Sequence, residues 1–158
     1  MAVVEPQSED REIRRTVAIL GGKKILSRTV SSRLEAHDLL QKGLPGHVLG
    51  YMVKGLEILK VPHHGVEKAV GMSVRTYQRH KENPKKRLSP EHSGRTWKFA
   101  EILGRATEIF GSQREAEEWL DRPAMALEQR KPIDLLSSPA GLVSVEELLT
   151  RLEYGVYT

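Results

Sequence analysis

Basic and hydroxyl side chains crowd the short stretch SVRTYQRHKE, residues 73–82. If this stretch is helical, Arg75 and Arg79 lie about one turn apart, with Thr76 beside them. An arginine guanidinium can donate two hydrogen bonds to O6 and N7 of guanine, and a threonine can contact a thymine methyl group or a phosphate. We therefore predict that these three side chains face the major groove of DNA.

Further polar side chains around this stretch suit the phosphate backbone. Ser73 stands at the expected start of the helix, where it could hold a phosphate. The other candidates follow on a less regular segment; they are Lys81, Lys85, Lys86 and Arg87. Contacts of this kind add affinity without carrying sequence information.

Two short helical patterns must position these side chains. Val66, Ala69 and Val70 recur at helical spacing, Gly71 allows a sharp turn, and Ser73 is a suitable N-cap for a helix from Val74. In that second helix Val74 and Tyr77 are expected to pack inward, and Asn83-Pro84 ends it. The pattern is typical of a helix-turn-helix, although an ordinary helical hairpin with a basic outer face would also explain it.

The rest of the chain also predicts an all-α protein. We expect an amphipathic helix of about four turns from Val48 to Leu59, which Pro62 ends, and a helix with an apolar stripe from Phe99 to Phe110, which Gly111 ends. A capping box follows at Ser112–Glu115, and one helical turn at Pro132–Leu136. The last expected helix runs from Val145 to Glu153, and its capping box is Ser144–Glu147. Trp97 and Trp119 lie within amphipathic stripes and are expected in the core.

Charge is unevenly distributed along the chain. The net charge of +4 combines +9 over residues 1–98, with 19 Lys or Arg against 10 Asp or Glu, and −5 over residues 99–158, with 6 against 11. A basic first part suits a nucleic-acid partner and an acidic second part suits a protein partner, although an uneven solvated surface is the plainer explanation. We predict a helix-turn-helix DNA-binding domain over residues 39–98, a second helical domain over 99–158, and a segment of unknown order over 1–38.

Catalytic and metal-binding patterns are weak. The chain has no cysteine, and its histidines, among them His47, the pair His63-His64, His80 and His92, are interpreted as solvated loop or capping residues rather than ligands. A phosphate-binding glycine loop and an oriented nucleophile are also missing. We therefore predict no catalytic residue, no metal, no cofactor and no enzymatic activity.

Hydropathy favours a cytoplasmic protein. No apolar run approaches the roughly 20 residues that a membrane span needs, and a membrane partner is not expected. The first 15 residues, MAVVEPQSEDREIRR, place acids before arginines and lack the apolar centre of a secretory signal. This segment is expected to be an uncleaved and loose leader.

The motifs together resemble a known family. The stretch GMSVRTYQRHKE, followed by LGRATEIFGSQREAEEWL and the end EYGVYT, is similar to the Xre-type antitoxins of bacterial RES-Xre toxin-antitoxin modules. The resemblance covers roughly Leu44 to Thr158. Its most specific pieces are Phe110-Gly111, Ala116 with Trp119-Leu120, Pro132–Leu136, Gly141 and Glu153–Tyr157.

The resemblance implies a two-part homodimeric protein. One half would repress its own operon through operator DNA, and the other would inhibit a cognate RES-domain toxin, an NAD-depleting enzyme, by covering its active site. The antitoxin itself would hold no NAD. A stand-alone transcriptional regulator and a helical adaptor remain alternatives.

The carboxy terminus is the predicted toxin contact. Residues after the last helix carry apolar and aromatic groups that could enter a cleft, and Gly155 allows the chain to bend. The predicted toxin-binding residues are Arg151, Glu153, Tyr154, Gly155, Val156 and Tyr157. Packing of Tyr154 and Tyr157 back on their own domain is the alternative.

Overall fold

The computed structural model describes residues 6–60 and 65–155, and within these ranges the protein is all-α, as predicted. Its α-helices are α1 (Pro6–Ile19), α2 (Gly22–Leu26), α3 (Arg33–Lys42), α4 (His47–Gly55), α5 (Val66–Ala69), α6 (Val74–Glu82), α7 (Pro90–Phe110), α8 (Gln113–Leu120) and α9 (Pro139–Glu153). Two 3₁₀ helices, Met125–Leu127 and Pro132–Leu135, join α8 to α9. The second of these confirms the predicted turn at Pro132.

Helix α7 is the centre of the fold. Ser89 caps its amino terminus by accepting a hydrogen bond from the backbone N–H of His92 at 3.1 Å, and Gly111 ends it with φ of +93°. Its 21 residues carry buried side chains on several sides, so α1, α3, α5, α8 and α9 all pack against it. The predicted division between residues 98 and 99 therefore runs through the middle of a helix that both halves share.

The amino-terminal segment is not a loose leader where the structure describes it. Residues from Pro6 to Ile19 form α1, which buries Ile13 and Thr16 against the core, and Leu20 directly after the helix is also buried. Its arginines Arg11 and Arg15 pair with Glu108 on α7, the first at 3.5 Å. The acids and arginines that suggested a solvated leader are the outward and flanking positions of an amphipathic helix.

The predicted four-turn helix ends sooner than its apolar spacing indicated. Helix α4 stops at Gly55, and Leu56 and Leu59 are buried in a non-helical segment. The carboxylate of Glu117 on α8 accepts hydrogen bonds from the backbone N–H groups of residues 57, 58 and 59 at 2.9–3.0 Å. These amides have an acceptor outside the helix, which compensates for the hydrogen bonds that helix continuation would have made. Pro62, expected to end the helix, lies outside the described residues.

The last helix begins earlier than predicted. Ser138 is its N-cap, accepting from the backbone N–H of Gly141 at 3.1 Å, and Pro139 occupies the first turn. Ser144, assigned to the capping box, lies inside α9 and donates to the carbonyl of Ala140 at 3.3 Å. A proline is tolerated in the first turn of a helix, so Ser138-Pro139 starts this helix rather than breaking the chain.

Other sequence predictions are confirmed. Ser112 caps α8 by accepting from the backbone N–H of Glu115 at 3.2 Å. Trp97 and Trp119 are both buried, and the Trp119 ring lies 5.3 Å from that of Phe110.

Candidate functional site

Helices α5 and α6 meet at the sharp turn that the sequence predicts. Val66, Val70 and Met72 are buried, and Gly71 has φ of +77°, a conformation that residues with a Cβ rarely adopt. A Cβ at Gly71 would also lie 2.6 Å from Cδ of Arg95 on α7. The backbone conformation therefore favours glycine at this turn, whereas the Arg95 side chain could move to admit a larger residue.

The start of α6 is held by Ser73. Its Oγ accepts a hydrogen bond from the backbone N–H of Thr76 at 3.1 Å and donates one to Oγ1 of Thr76 at 3.0 Å. Thr76 is half-buried, so it does not share the open position of its predicted partners Arg75 and Arg79, which are both exposed. The two hydroxyl groups hold each other and fix the first turn of the helix.

Helix α6 is rotated relative to the predicted orientation. Tyr77 packs against the core and His80 is buried, whereas Val74, predicted to pack inward, is 58% exposed. At roughly 100° per residue, an inward His80 turns Val74 toward the outside. The outward face is therefore formed by Val74, Arg75, Gln78 and Arg79. Val74 and Gln78 are not among the contacts predicted from the sequence, because an apolar valine is expected in the core and a histidine in solvent.

His80 acts as a core residue. Burial, and to a lesser degree the nearby His92 and Lys86, lower its pKa, which favours the neutral ring. Its Nδ1 has no hydrogen-bond partner among the residues that the structure describes. We attribute no DNA contact to this side chain.

The cations around α6 are free to meet a ligand. Within the described ranges, no ion pair or hydrogen bond engages the side chains of Arg75, Arg79, Lys81, Lys85 or Lys86, and all five are exposed. Arg87 differs, because its Nη1 donates to the carbonyl of Gly43 at 2.6 Å. The backbone of the segment that carries Lys85 and Lys86 is held in place, because the N–H of Leu88 donates a hydrogen bond to the carbonyl of Leu44 at 2.8 Å.

The carboxy-terminal candidate residues lie at the end of α9. Tyr154 is 76% exposed, so it does not pack back on its own domain, and Gly155 has φ of +71°. Glu153 is engaged within the protein, because it pairs with Arg105 of α7 at 3.3 Å. Arg151 is half-buried. Val156 and Tyr157 lie outside the described residues.

Groupings suited to metal or membrane binding are not found in the described ranges. No group of three or more potential metal ligands occurs there. His47 is exposed and His92 half-buried in helices, while His63 and His64 fall outside the description. No described helix has both the length and the apolar character needed to cross a bilayer.

Two family models of known proteins match two consecutive parts of the chain. Residues 53–101 match the family model described as the antitoxin Xre-like helix-turn-helix domain. Residues 105–155 match the model of the antitoxin Xre/MbcA/ParS C-terminal toxin-binding domain. The first match contains α5, α6 and the amino-terminal half of α7, and the second contains α8 and α9.

Three curated proteins named antitoxin Xre are similar to this chain in sequence. The Yersinia enterocolitica protein is 30% identical over 99 residues, which are 62% of this chain and 66% of that protein. The Photorhabdus laumondii protein is 28% identical over 54% of this chain and 58% of its own length. The Pseudomonas putida protein is 29% identical over 43% of this chain and 43% of its own length. The aligned region thus spans less than two thirds of each relative.

Proposed function

Because the chain belongs to the family of Xre-type antitoxins, we propose that it binds operator DNA through α5 and α6 and a cognate toxin through its carboxy-terminal half. The resemblance to this family drawn from the sequence is confirmed. Antitoxins of this family are not enzymes, in agreement with the prediction from the sequence.

The outward face of α6 carries the DNA-binding part of the proposal. Arg75 and Arg79 present guanidinium groups without ion-pair partners in the described ranges, and Gln78 lies between them on the same face. Arginine suits guanine and glutamine suits adenine in the major groove. Ser73, Thr76, Lys81, Lys85, Lys86 and Arg87 complete the proposed DNA-binding set. We assign phosphate contacts first to Lys81, Lys85 and Lys86, which are exposed. Ser73, Thr76 and Arg87 stay in the proposed set, although their side chains already make hydrogen bonds within the protein.

The proposed toxin is a RES-domain protein that depletes NAD. Inhibition would follow from covering its active site with the end of α9 and the residues beyond it, so the antitoxin needs a complementary surface and no NAD, metal or other cofactor of its own. Arg151, Tyr154, Gly155, Val156 and Tyr157 would contact the toxin. Glu153 would act partly by holding Arg105, its partner within the protein.

Assembly as a homodimer completes the proposal. Two copies would present two α6 helices to a palindromic operator, as two-fold symmetric repressors do, and so repress their own operon. Such a protein would act in the cytoplasm, where both the operon and NAD are found.

One co-expression experiment tests the toxin partnership. The protein encoded by the neighbouring gene is expressed alone and with the antitoxin, and growth and cellular NAD are measured. We expect the neighbour alone to stop growth and lower NAD, and co-expression to restore both. Restored growth without any earlier loss of NAD would reject the RES assignment while keeping a toxin partner.

A stand-alone helix-turn-helix regulator is the alternative function. The cations of α6 are exposed and make no ion pair with any residue in 6–60 or 65–155, which favours DNA binding whether or not a toxin exists. Specific binding to the upstream region of its own gene, together with no effect of the neighbouring protein on growth or on complex formation, would favour this alternative.

A further inference from the structure

A short loop after α8 presents an exposed methionine. Residues 124–130, called the 125 loop here, are closed by hydrogen bonds from Ala124 N–H to the carbonyl of Arg130 at 3.0 Å and from Gln129 N–H to the carbonyl of Ala124 at 2.9 Å. Leu127 is buried and anchors the loop, whereas Met125 is 84% exposed. The loop therefore holds an apolar side chain in water on a fixed backbone.

The same loop contains backbone conformations that are costly for ordinary residues. Glu128 has φ of +55° and Gln129 has φ of +64°, and neither is a glycine. Residues in this left-handed region are held there by the surrounding structure, and they are concentrated at functional sites. The strain is consistent with a loop whose shape serves binding.

Helix α9 shows a second exposed surface beside this loop. Val143 is 50% exposed and Tyr154 76%, and Glu147 lies between them on the outward side of the helix. The opposite side, with Val145 and Leu149, is buried. Positions 143, 147 and 154 fall within one face at helical spacing, so they form a continuous stripe.

A groove of about 500 Å³ separates the 125 loop from this stripe. Leu127 and Arg130 line it from the loop, and Ser144, Glu147 and Arg151 line it from α9. Arg151 also belongs to the proposed toxin contacts at the carboxy terminus. Glu147 and Arg151 also line a second depression on the other side, together with Val143. The groove beside the 125 loop and the Val143 side of α9 are therefore adjacent, with Glu147 and Arg151 common to both.

We propose that this surface is the main docking site for the toxin, with Met125 and Val143 as apolar anchors. This inference rests on the proposed function. The occupant is the toxin because the whole surface lies within residues 105–155, which match a toxin-binding domain, and because it includes Arg151, one of the proposed toxin contacts. Methionine adapts its shape to a partner, tyrosine is common among residues that dominate binding energy, and charged groups such as Glu147 and Arg130 supply the polar margin.

Charged substitutions at the two anchors test the proposal. Met125→Asp and Val143→Asp are made in the full-length protein, and Leu34→Asp serves as the matched control. Leu34 on α3 is also exposed, at 77%, but lies outside residues 105–155. Affinity for the purified protein encoded by the neighbouring gene is measured by calorimetry. We expect each anchor variant to weaken binding at least tenfold and the control to stay within about twofold of the unaltered protein.

Three further measurements accompany the affinities. Circular dichroism verifies that the helices are intact, and Met125→Ser replaces the aspartate variant if that variant unfolds. Amide hydrogen exchange on the unaltered protein should show protection of residues 124–130 when the toxin is added. Size-exclusion chromatography with light scattering gives the oligomeric state of every variant.

The outcomes separate this inference from the proposed function. If the unaltered protein binds the toxin and the anchor variants bind equally well, or if the control loses as much affinity as they do, the docking surface is wrong and the antitoxin function stands. If the anchor variants change the oligomeric state and thereby lose the toxin, the surface is a self-association face. If the unaltered protein itself does not bind, the proposed function fails and this inference fails with it.

Discussion

If α6 binds DNA as proposed, side chains on its outward face should read bases, whereas lysines after the helix should only add affinity. Arg75→Ala should weaken binding to operator DNA by about 1 to 3 kcal/mol and relax the preference at one base pair, and Gln78→Ala should relax the preference at an adenine. Lys86→Ala should weaken operator and random DNA alike, with a shallower dependence on salt. Fluorescence anisotropy on both duplexes over a salt series measures these effects. Equal losses on the two duplexes for all three variants would contradict base reading by α6.

Glu117 on α8 binds the backbone of residues 57–59, the segment after α4, through hydrogen bonds. Its side chain is fully buried and accepts from three backbone amides and from Nε2 of Gln113 at 2.9 Å. Glu117→Gln preserves the shape but replaces one acceptor oxygen by a donor, so the free energy of unfolding should fall by about 2 to 4 kcal/mol. Chemical denaturation measures this loss. Glu118→Gln is the control, because Glu118 makes an exposed ion pair with Arg114, at 3.5 Å, that contributes little.

Helix α1 is coupled to α7 through a pair of carboxyl groups, Glu12 and Glu101. Burial, and then the hydrogen bond with Glu12, raise the pKa of Glu101 to about 7, while that hydrogen bond lowers the pKa of Glu12. Lys98 lies 3.3 Å from Glu101 and opposes the shift only in part. The folded protein therefore holds a proton on Glu101 that the unfolded chain releases at lower pH.

This pair makes stability depend on pH in a definite direction. A glutamate whose pKa is raised on folding binds its proton more strongly in the folded state, so the free energy of unfolding should fall as pH rises from 4.5 to about 7. Glu12, whose pKa is lowered, acts in the opposite sense below pH 4.5. The buried His80, whose pKa is lowered from 6.5, acts in the opposite sense below that pH, so the contribution of Glu101 is measured by comparing variants in thermal melts across pH 5 to 8. The decline due to Glu101 should be the same in the unaltered protein and in the exposed control Glu91→Gln. Glu101→Gln should flatten it; an unchanged slope in that variant would assign the decline to other groups.

The carboxy-terminal tail, residues 155–158, is proposed to help inhibit the toxin. Deleting residues 155–158 should abolish or strongly reduce rescue of cells that express the toxin, because the proposed cover of its active site is lost. Helical content and operator binding should stay close to those of the full chain, since the deletion begins after α9. Full rescue by the shortened protein would reject the tail as an inhibitor, and loss of DNA binding would show that the tail is structural.

Element types could be predicted from the sequence, whereas their limits and rotation depended on tertiary contacts. Ser73, Gly71 and Ser112 gave correct helix boundaries because caps and turns are local. The end of α4 depends on Glu117, which is 60 residues away from Glu57, and no local pattern reports that contact. Similarly, the inward rotation of His80 placed Val74 and Gln78 on the outward face. Residues 6–19 gave no clear signal, because α1 is defined by the surface of α7 on which it packs.

For the whole molecule, the shared helix α7 predicts cooperative unfolding. The helix-turn-helix, α1, α8 and α9 all bury side chains against it, and Arg95 donates to the carbonyl of Ser137 while packing against Gly71. Differential scanning calorimetry should therefore show one two-state transition, with calorimetric and van't Hoff enthalpies in agreement. Two resolved transitions would indicate that the halves are stable separately.

The shared helix also restricts how such proteins can evolve. A recombination event that joined the DNA-binding half of one relative to the toxin-binding half of another would bring together two sides of α7 that were never selected as one core. Even a change of one methylene in a packed interior lowers stability, so most such chimeras would fold poorly. With the proposed docking surface, a lineage that acquires a new toxin is therefore expected to do so by substitutions on α9 and the 125 loop, while the proposed operator contacts of α6 are inherited unchanged.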